Sequence, residues 1–474
     1  KIEGKLFEQE KILKAIIPNL IENSQIPLYI QLYEHIKSAI LSKEIAFGEK
    51  LPSLRKLAEL NEISITTAEQ AYNQLLTEGY ITSRPQSGYY VSKIDAFSDV
   101  QGDSDHDIFE LTTQSFDNSR YLYDLSAFDF QKWKKCTSRV FNEYPHLLLF
   151  ESDVQGEQAL RYEISKYVYS SRGVIADPSQ VVIGAGTQQL TTHLCHILRH
   201  MDIGFVCTED PGYVPIQKIF HDNGFGINKI PVSSDGIRID MLPANIASAV
   251  YVSPANQFPT GSVMSIASRY KLLAWANQNN SIILEDDYDS ELRYFGKPIP
   301  ALQGLDNNHR VVYFGSFSST LFPAIKVSYM ILPPNMAEIF ASIKANYTQT
   351  CSKTEQLTLA LFMENGYYYT NIRRLRSLYA QKLQLAISSF AKYGMGFIDA
   401  KNTKSGINII LDVKSEKSAE MLCQEAESLR LYVATLNQNS ETEQKNRQLI
   451  FYYNQIPIDL LEDSIKSLTK LWAS

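Results

Sequence analysis

Carboxylic acids and hydroxyl groups cluster after an apolar stretch in the middle of the chain. Residues 282–284 are apolar and are followed by four acids and a tyrosine: Glu285, Asp286, Asp287, Tyr288 and Asp289. Ligands of open α/β sheets bind at the carboxyl ends of the strands, so this position favours a binding site. A solvated acidic surface loop is the alternative, and the buried-strand character of residues 282–284 weighs against it.

A glycine turn provides a second candidate element. Residues 180–189 read as an apolar strand, a turn that contains Gly184 and Gly186, and the start of a helix at Thr187. Backbone amides at such a helix N-terminus can hold a phosphate. This signal is weak by itself, because many turns between strands and helices contain glycine.

The segment 311–323 carries the most specific signal. Its sequence, Val-Val-Tyr-Phe-Gly-Ser-Phe-Ser-Ser-Thr-Leu-Phe-Pro, resembles the cofactor-attachment segment of fold-type I pyridoxal-phosphate aminotransferases. More closely, it is similar to the aminotransferase-like half of MocR/GabR-type transcription regulators, where the pattern is Gly-Ser/Thr-Phe-Ser-Lys-Thr/Ser-Leu. Ser319 occupies the lysine position. The lysine amine forms an imine with the cofactor aldehyde and shuttles the proton in transamination, and a hydroxyl group does neither.

The resemblance covers the region that we assign to residues 119–474, and it implies roles for matching residues. Gly186, Thr187 and Gln188 correspond to the loop that holds the cofactor phosphate, Tyr213 to the tyrosine on the face of the pyridine ring, Asp286 to the partner of the pyridine nitrogen, and Tyr288 to the hydroxyl beside the phenolic oxygen. Ser316 and Ser318 belong to the same retained pocket. For Tyr213 a role in the core is the alternative.

Four positions besides Ser319 depart from the family pattern. Lys326 stands where the family has a phosphate-clamping arginine, and it keeps the charge but loses the planar fork. Gln455 stands where the family has an arginine that binds the carboxylate of an amino acid. Glutamine cannot form a charged bidentate pair with that carboxylate. Asn256 and Asn408 stand at positions of histidines. These changes predict that the domain is not an enzyme, and that any pyridoxal phosphate binds without a covalent bond.

Residues 26–91 predict three short helices followed by a β-wing, the winged helix-turn-helix arrangement. They resemble the GntR family in Pro27-Leu28-Tyr29, in the run Gly48 to Ala58, in Glu78-Gly79-Tyr80 and in Ser87-Gly88. The resemblance implies contacts to double-stranded operator DNA, with base edges or phosphates, from Ser53, Arg55, Ser64, Thr66, Thr67, Arg84 and Gly88. Ser64 to Thr67 supply N-cap candidates for the third helix, and Thr66 and Glu69 have the spacing of a capping box. Ile65 replaces an arginine usual in the family, so the operator differs, with a thymine methyl at Ile65, or binding is weaker.

Bulk properties set the remaining expectations. The chain has 474 residues, a net charge of −7 and five scattered cysteines, which suggest a cytoplasmic protein without a disulfide framework or metal site. No run of about 18 apolar residues occurs, so no membrane span is expected. We predict a lead-in at 1–25, the DNA-binding domain at 26–91, a flexible acidic linker at 92–118, and at 119–474 an α/β domain of the fold-type I transferase class. Its expected features are a mixed, mostly parallel sheet with helices on both faces and a smaller C-terminal α/β subdomain.

These observations favour a DNA-binding regulator whose large domain is catalytically inactive. By resemblance it is a head-to-tail homodimer, and the retained pocket could hold pyridoxal phosphate or another small anionic effector. Two alternatives stay open. One is a working aminotransferase with an accessory domain, and the other is a large domain that binds no ligand and acts only as a dimerisation scaffold.

Overall fold

The computed structural model describes residues 16–18, 20–21, 26–84, 87–92, 122–294, 300–401, 406–436 and 448–473. The chain divides into two compact units, residues 1–114 and 115–474. Most of the predicted lead-in and almost all of the predicted linker lie outside the described residues. The bounds of the four predicted segments therefore stay predictions.

The first unit contains three helices and a two-stranded antiparallel wing. They are α1 (Leu28–Leu41), α2 (Leu54–Leu60), α3 (Ile65–Thr77), β1 (Ile81–Arg84) and β2 (Gly88–Val91). Helix α3 buries one apolar face, which comprises Ala68, Ala71, Tyr72 and Leu75. The hydroxyl of Tyr72 donates to the carbonyl of Pro52 at 3.1 Å, so the buried ring of α3 also fixes the start of α2.

The beginning of α3 differs from the predicted capping box. The N-cap is Ser64, whose Oγ accepts from the amide of Thr67 at 3.0 Å, and the two hydroxyl groups lie 2.8 Å apart. The prediction of a Thr66–Glu69 box is therefore wrong. Ser53 caps α2 in the same way, accepting from the amide of Lys56 at 3.3 Å.

The second unit is built on an eight-stranded mixed sheet. Its strands are β3 (Val181–Gly184), β4 (Phe205–Asp210), β5 (Gly226–Ser233), β6 (Gly236–Ile237), β7 (Ala249–Val252), β8 (Ile282–Asp286), β9 (Val311–Ser316) and β10 (Ser328–Ile331). Their order is β3-β10-β9-β8-β7-β4-β5-β6. The five strands from β9 to β5 run parallel, whereas β10 is antiparallel to both β9 and β3. The central parallel strands β7, β8 and β9 are almost wholly buried, as expected for a sheet covered on both faces.

Helices alternate with these strands and form two buried apolar layers against the sheet. They are α4 (Phe130–Glu143), α5 (Gln158–Arg172), α6 (Thr187–His200), α7 (Val214–Asp222), α8 (Ile266–Gln278), α9 (Pro334–Ile343) and α10 (Lys353–Glu364). The 27-residue α11 (Tyr367–Tyr393) then continues into a smaller antiparallel sheet. That sheet comprises β11 (Ile398–Lys401), β12 (Asn408–Val413), β13 (Val433–Thr435) and β14 (Gln448–Tyr452), and it packs with α12 (Ala419–Ser428) and α13 (Ile458–Ala473). The predicted fold class is confirmed.

A buried lysine joins the start of the second unit to its smaller sheet. Lys382 of α11 is fully buried, and its Nζ donates to the carboxylate of Asp124 at 2.6 Å and to the carbonyl of Asn454 at 2.8 Å. Burial lowers the pKa of Lys382, and Asp124 counteracts that effect. Breaking such a pair by removing one partner leaves a buried charge uncompensated and costs about 3–5 kcal/mol.

All five cysteines are free, and four of them are buried. No helix among the described residues combines the length and the apolar character that crossing a membrane requires. Within the same ranges, no group of three or more His, Cys, Asp or Glu side chains is arranged to hold a metal ion.

Candidate functional site

A cavity of about 280 Å³ lies where several strands of the large sheet end and the smaller sheet begins. Its wall comprises Thr187, Tyr213, Ser253, Phe258, Asp286, Tyr288, Asp289, Ser316, Ser319, Ile407, Asn408 and Tyr452. Asp286 and Ser316 are the last residues of β8 and β9, Thr187 is the first residue of α6, and Tyr452 ends β14. The volume is near the lower end of the range of about 300–1,000 Å³ that is usual for small-molecule sites.

Asp286 is a buried acid at the end of β8. It is 9% exposed, and the hydroxyl of Tyr251 donates to its carboxylate. Burial raises the pKa of Asp286 to about 6, the neighbouring acids Asp287 and Asp289 add to the rise, and the Tyr251 bond opposes it. A carboxylate in this state can accept a hydrogen bond from a protonated ring nitrogen, and it would gain stability from doing so.

Aromatic rings form one wall of the cavity. Phe258 meets Tyr213 and Tyr288 edge to face, with ring centroids 6.2 Å apart in both pairs. Tyr213 is 38% exposed, which favours the ligand-facing interpretation of this residue over the buried-core alternative. Burial raises the pKa of Tyr213, the nearby Asp286 raises it further, and the nearby Gln188 side chain opposes the rise. Gln188 is not among the residues of the cavity wall.

The start of α6 supplies backbone donors near the cavity. Gly186 has φ +91°, a conformation that side chains rarely adopt, and it is the N-cap of α6. The first amides of a helix have no partner inside the helix, and they favour an anion. Across the cavity, Oγ of Ser316 accepts from the amide of Ser318 at 3.3 Å and from the hydroxyl of Ser328 at 3.1 Å.

Asp289 is the unusual member of the wall. It follows Tyr288 with φ +57°, is 4% exposed, and has no hydrogen-bond partner for either carboxylate oxygen within the described residues. Burial raises its pKa to about 6, and the Ser319 hydroxyl lowers it in part. Because the two groups do not meet hydrogen-bond geometry, Ser319 acts here as a nearby dipole and leaves the carboxylate without a partner.

Six of the predicted residues line this cavity: Thr187, Tyr213, Asp286, Tyr288, Ser316 and Ser319. Six others are not among its lining residues: Gly186, Gln188, Asn256, Ser318, Lys326 and Gln455. Lys326 is exposed with φ +47°, whereas Asn256 is buried against Gly406. Gln455 lies half-buried beyond the end of β14.

The wall also contains residues to which the sequence analysis gave no role in binding: Ser253, Phe258, Asp289, Ile407, Asn408 and Tyr452. Asp289 belongs to the acidic cluster that drew attention to the site, and Ser253 follows β7 as Asp286 ends β8. The position of Asp289 and Ser253 after strands is the feature of the sequence that could have identified them as part of the site. Asn408 and Tyr452 come from the smaller sheet, where they are paired in register, and only the packing of the two sheets brings them here.

A larger cavity of about 660 Å³ lies between α5, α11 and the loop after β8. Its buried charges already have partners. Nε of Arg172 lies 2.7 Å from the Asp287 carboxylate, and the carboxylate of Glu291 accepts from the hydroxyl of Tyr167 at 2.8 Å. The smaller cavity, with its unpartnered Asp289, is therefore the better candidate for a ligand.

The first unit exposes five of the seven residues that were predicted to contact DNA: Ser53, Arg55, Ser64, Thr66 and Arg84. Arg55 on α2 is exposed, and Ser64, Ile65 and Thr66 are exposed around the first turn of α3, with Ile65 at 51%. The exposed guanidinium of Arg84 lies over the ring of Tyr90, 4.3 Å from its centroid.

Four of the predicted DNA contacts also have structural roles, and of these Ser53 and Ser64 cap α2 and α3. Gly88 has φ +105°, which a residue with a side chain adopts only under strain. Thr67, which is half-buried, shares with Ser64 the hydrogen bonds that cap α3. For these residues a contact to DNA would be additional to their part in the fold.

Comparisons with known proteins match both units. Residues 28–91 match the family of bacterial regulatory proteins named the gntR family, and residues 115–438 match aminotransferase class I and II. The chain is 37% identical over 466 residues to the HTH-type transcriptional regulator YdeL of Bacillus subtilis, covering 96% of this chain and 99% of that protein. It is 29% identical over 468 residues to a probable rhizopine catabolism regulatory protein, MocR, of Rhizobium meliloti, covering 95% of this chain and 94% of that protein.

Among solved structures, a kynurenine aminotransferase of Pyrococcus horikoshii superposes with a TM-score of 0.66 at 18% identity. The match covers 79% of this chain and 96% of that one. At this identity the likeness concerns the fold alone.

Proposed function

Because this chain belongs to the MocR-type transcriptional regulators, in which a gntR-family domain precedes an aminotransferase class I and II domain, we propose that it binds operator DNA and senses a small ligand without catalysing transamination. We expect it to act in the cytoplasm, as a homodimer whose two DNA-binding domains contact two half-sites. Doubling the phosphate contacts would offset the near-neutral charge of a single domain.

The observation that carries the DNA-binding part is the set of exposed polar and apolar side chains at the first turn of α3. In helix-turn-helix proteins the N-terminal residues of this helix contact base edges. Ser64 and Thr67 cap the helix, which leaves Ile65 and Thr66 exposed next to them. Arg55 on α2 and Arg84 on the wing would contact the DNA backbone or base edges on either side.

Selection from a random duplex library by the full-length protein tests this part. We expect an enriched sequence with two related half-sites, and a thymine at the position that meets Ile65. An Ile65→Ala variant selected in parallel should lose the preference at that position alone. If the wild-type protein enriches no sequence, the DNA-binding part of the proposal is wrong.

The absence of a primary amine from the cavity wall carries the non-enzymatic part. Lysine is not among the residues that line the cavity in the described part of the chain. In enzymes of this fold, pyridoxal phosphate supplies an aldehyde and a ring that withdraws electrons. Here Asp286 fits a ring nitrogen, Tyr213 and Tyr288 fit the ring, and the start of α6 fits a phosphate. The residues therefore fit the group as a ligand that is bound without a covalent bond, and we propose that Lys326 and Gln188 add contacts to it.

Two measurements separate this proposal from its alternatives. A working aminotransferase would show a visible absorbance band with pyridoxal phosphate that borohydride bleaches, and we expect no such band. A scaffold without a ligand would give flat calorimetric titrations with vitamin B6 phosphates. We expect measurable heats, together with a change in affinity for the selected operator when the ligand is present.

A further inference from the structure

Asp289 presents an unsatisfied buried negative charge to the cavity. Both of its carboxylate oxygens are shielded from solvent and lack a hydrogen-bond partner among the described residues. Leaving a buried carboxylate unpaired is costly, and proteins usually pair such groups or use them to bind a ligand. Asp289 is one of the residues that line the cavity.

Among the described residues that line the cavity, none supplies Asp289 with a positive charge. The wall contains two carboxylic acids, Asp286 and Asp289, and no lysine or arginine among the described residues that form it. The other titratable groups that act on Asp289 are the hydroxyls of nearby tyrosines: Tyr288, Tyr294, Tyr379, Tyr452 and Tyr453. Burial raises the pKa of each of these tyrosines above its ordinary value, so all of them are neutral at physiological pH. A cation for Asp289 must therefore come from the ligand.

Ser319 adjoins this carboxylate and also lines the cavity. Its hydroxyl acts on Asp289 without completing a hydrogen bond. In a vitamin B6 phosphate the exocyclic carbon lies opposite the ring nitrogen. A ring whose nitrogen bonds Asp286 would therefore direct that carbon away from Asp286, to another part of the wall.

We propose that the cavity selects a pyridine phosphate that carries its own primary amine, as pyridoxamine 5′-phosphate does, and that the carboxylate of Asp289 binds the ammonium group beside Ser319. This inference rests on the proposed ligand-sensing function and specifies the chemical form of its ligand. An ammonium group offers three donors and a positive charge to Asp289. An aldehyde offers only an acceptor, which faces a carboxylate that is itself an acceptor.

Calorimetric titration of the full-length protein with three probes tests the proposal. The probes are pyridoxamine 5′-phosphate, pyridoxal 5′-phosphate and 4-deoxypyridoxine 5′-phosphate, which share the ring and the phosphate and differ at the exocyclic carbon. A hydrogen bond between charged groups predicts that the amine binds about 10- to 150-fold more tightly than the deoxy compound. The aldehyde should bind no better than the deoxy compound.

Two variants assign the selectivity to its residue. Asp289→Asn should reduce the affinity for the amine to that for the deoxy probe and leave the deoxy affinity unchanged. Asp240→Asn, the matched control, removes an exposed carboxylate of the second unit that is not on the cavity wall, and it should keep the selectivity. If Asp289→Asn does not fold, the wild-type protein provides a second measurement, because the ratio of amine to deoxy affinity should fall as the pH drops below about 6 and Asp289 is protonated.

The outcomes distinguish the inference about Asp289 from the proposed ligand site on which it rests. Equal affinity for the amine and deoxy probes would overturn the inference and leave a vitamin B6 site in place. Tighter binding of the aldehyde, with a mass adduct on any side chain, would overturn the inference and the claim of non-covalent binding. No binding of any probe would overturn both the inference and the proposed ligand site.

Discussion

Replacing Arg55 with alanine tests the DNA-binding assignment most directly. The guanidinium of Arg55 is exposed on α2, and no hydrogen bond or ion pair to it is found within the described residues. Folding therefore does not depend on it, and Arg55→Ala should leave the melting temperature unchanged. Any loss of operator affinity then reports on contact with DNA.

The size of the loss depends on what Arg55 touches. A bidentate contact to a guanine is worth about 1–3 kcal/mol of discrimination, which is about 5- to 150-fold in affinity for each domain. A phosphate contact instead lowers the slope of log K against log salt by about one for each domain. For a dimer on two half-sites both effects should double.

Mobility-shift titration on the selected operator, repeated at several salt concentrations, separates these cases. Arg238→Ala is the matched control, because it removes one exposed arginine from the second unit, where Arg238 pairs with Asp240 at 2.7 Å. The control should bind the operator like the wild-type protein. An Arg55→Ala protein with unchanged affinity and unchanged salt slope would refute the assigned role of Arg55 on α2.

Three further predictions concern both units. Ile65→Arg should introduce a preference for guanine of about 1–3 kcal/mol at one position of each half-site, and an unaltered selected sequence would show that Ile65 does not face the bases. Ser319→Lys should gain a visible, borohydride-sensitive absorbance band with pyridoxal phosphate. Ser319→Met, of similar length but without an amine, should not gain it. A band in both variants or in neither would contradict the placement of residue 319 on the cavity wall. Burial raises the pKa values of Asp286 and Asp289 from 3.8 to about 6, so the stability they contribute is present below pH 3.8 and is lost as the pH rises through 6. The denaturation midpoint of the second unit, followed by tryptophan fluorescence, should therefore fall between about pH 4 and 7, and an Asp289→Asn protein with an equally steep fall would contradict this account.

Sequence patterns were sufficient where a local rule governs the structure. The apolar face of α3 follows from helical spacing. Residues 282–286 form a buried strand that begins with the apolar run 282–284. The helix cap shows the limit of such rules. Ser64 and Thr66 are equally plausible as N-caps from composition, and Ser64 is the one whose backbone is extended while its hydroxyl reaches the amide of Thr67.

The candidate site was predictable to the extent that it is made of strand ends. Asp286, Ser316 and Thr187 meet in one cavity because parallel strands place their carboxyl ends at one edge of a sheet. Lys326 and Gln455 were assigned by resemblance, and the structure leaves them off the wall of that cavity. Such assignments depend on side-chain direction and on loop conformation, as the left-handed backbone of Lys326 illustrates.

The amino-acid sequence by itself determined the two-part organisation, the fold class and the lack of an amine at position 319, because these depend on residue type and on the periodicity of apolar side chains. Only the tertiary structure decided that Asn408 and Tyr452 of the smaller sheet complete the wall, and that Asp289 is buried there without a partner. The physical reason is that burial and hydrogen bonding are properties of the packed neighbourhood. The sequence placed Asp289 in an acidic cluster at a strand end, but its burial depends on a second sheet, more than 100 residues later in the chain, that packs beside it.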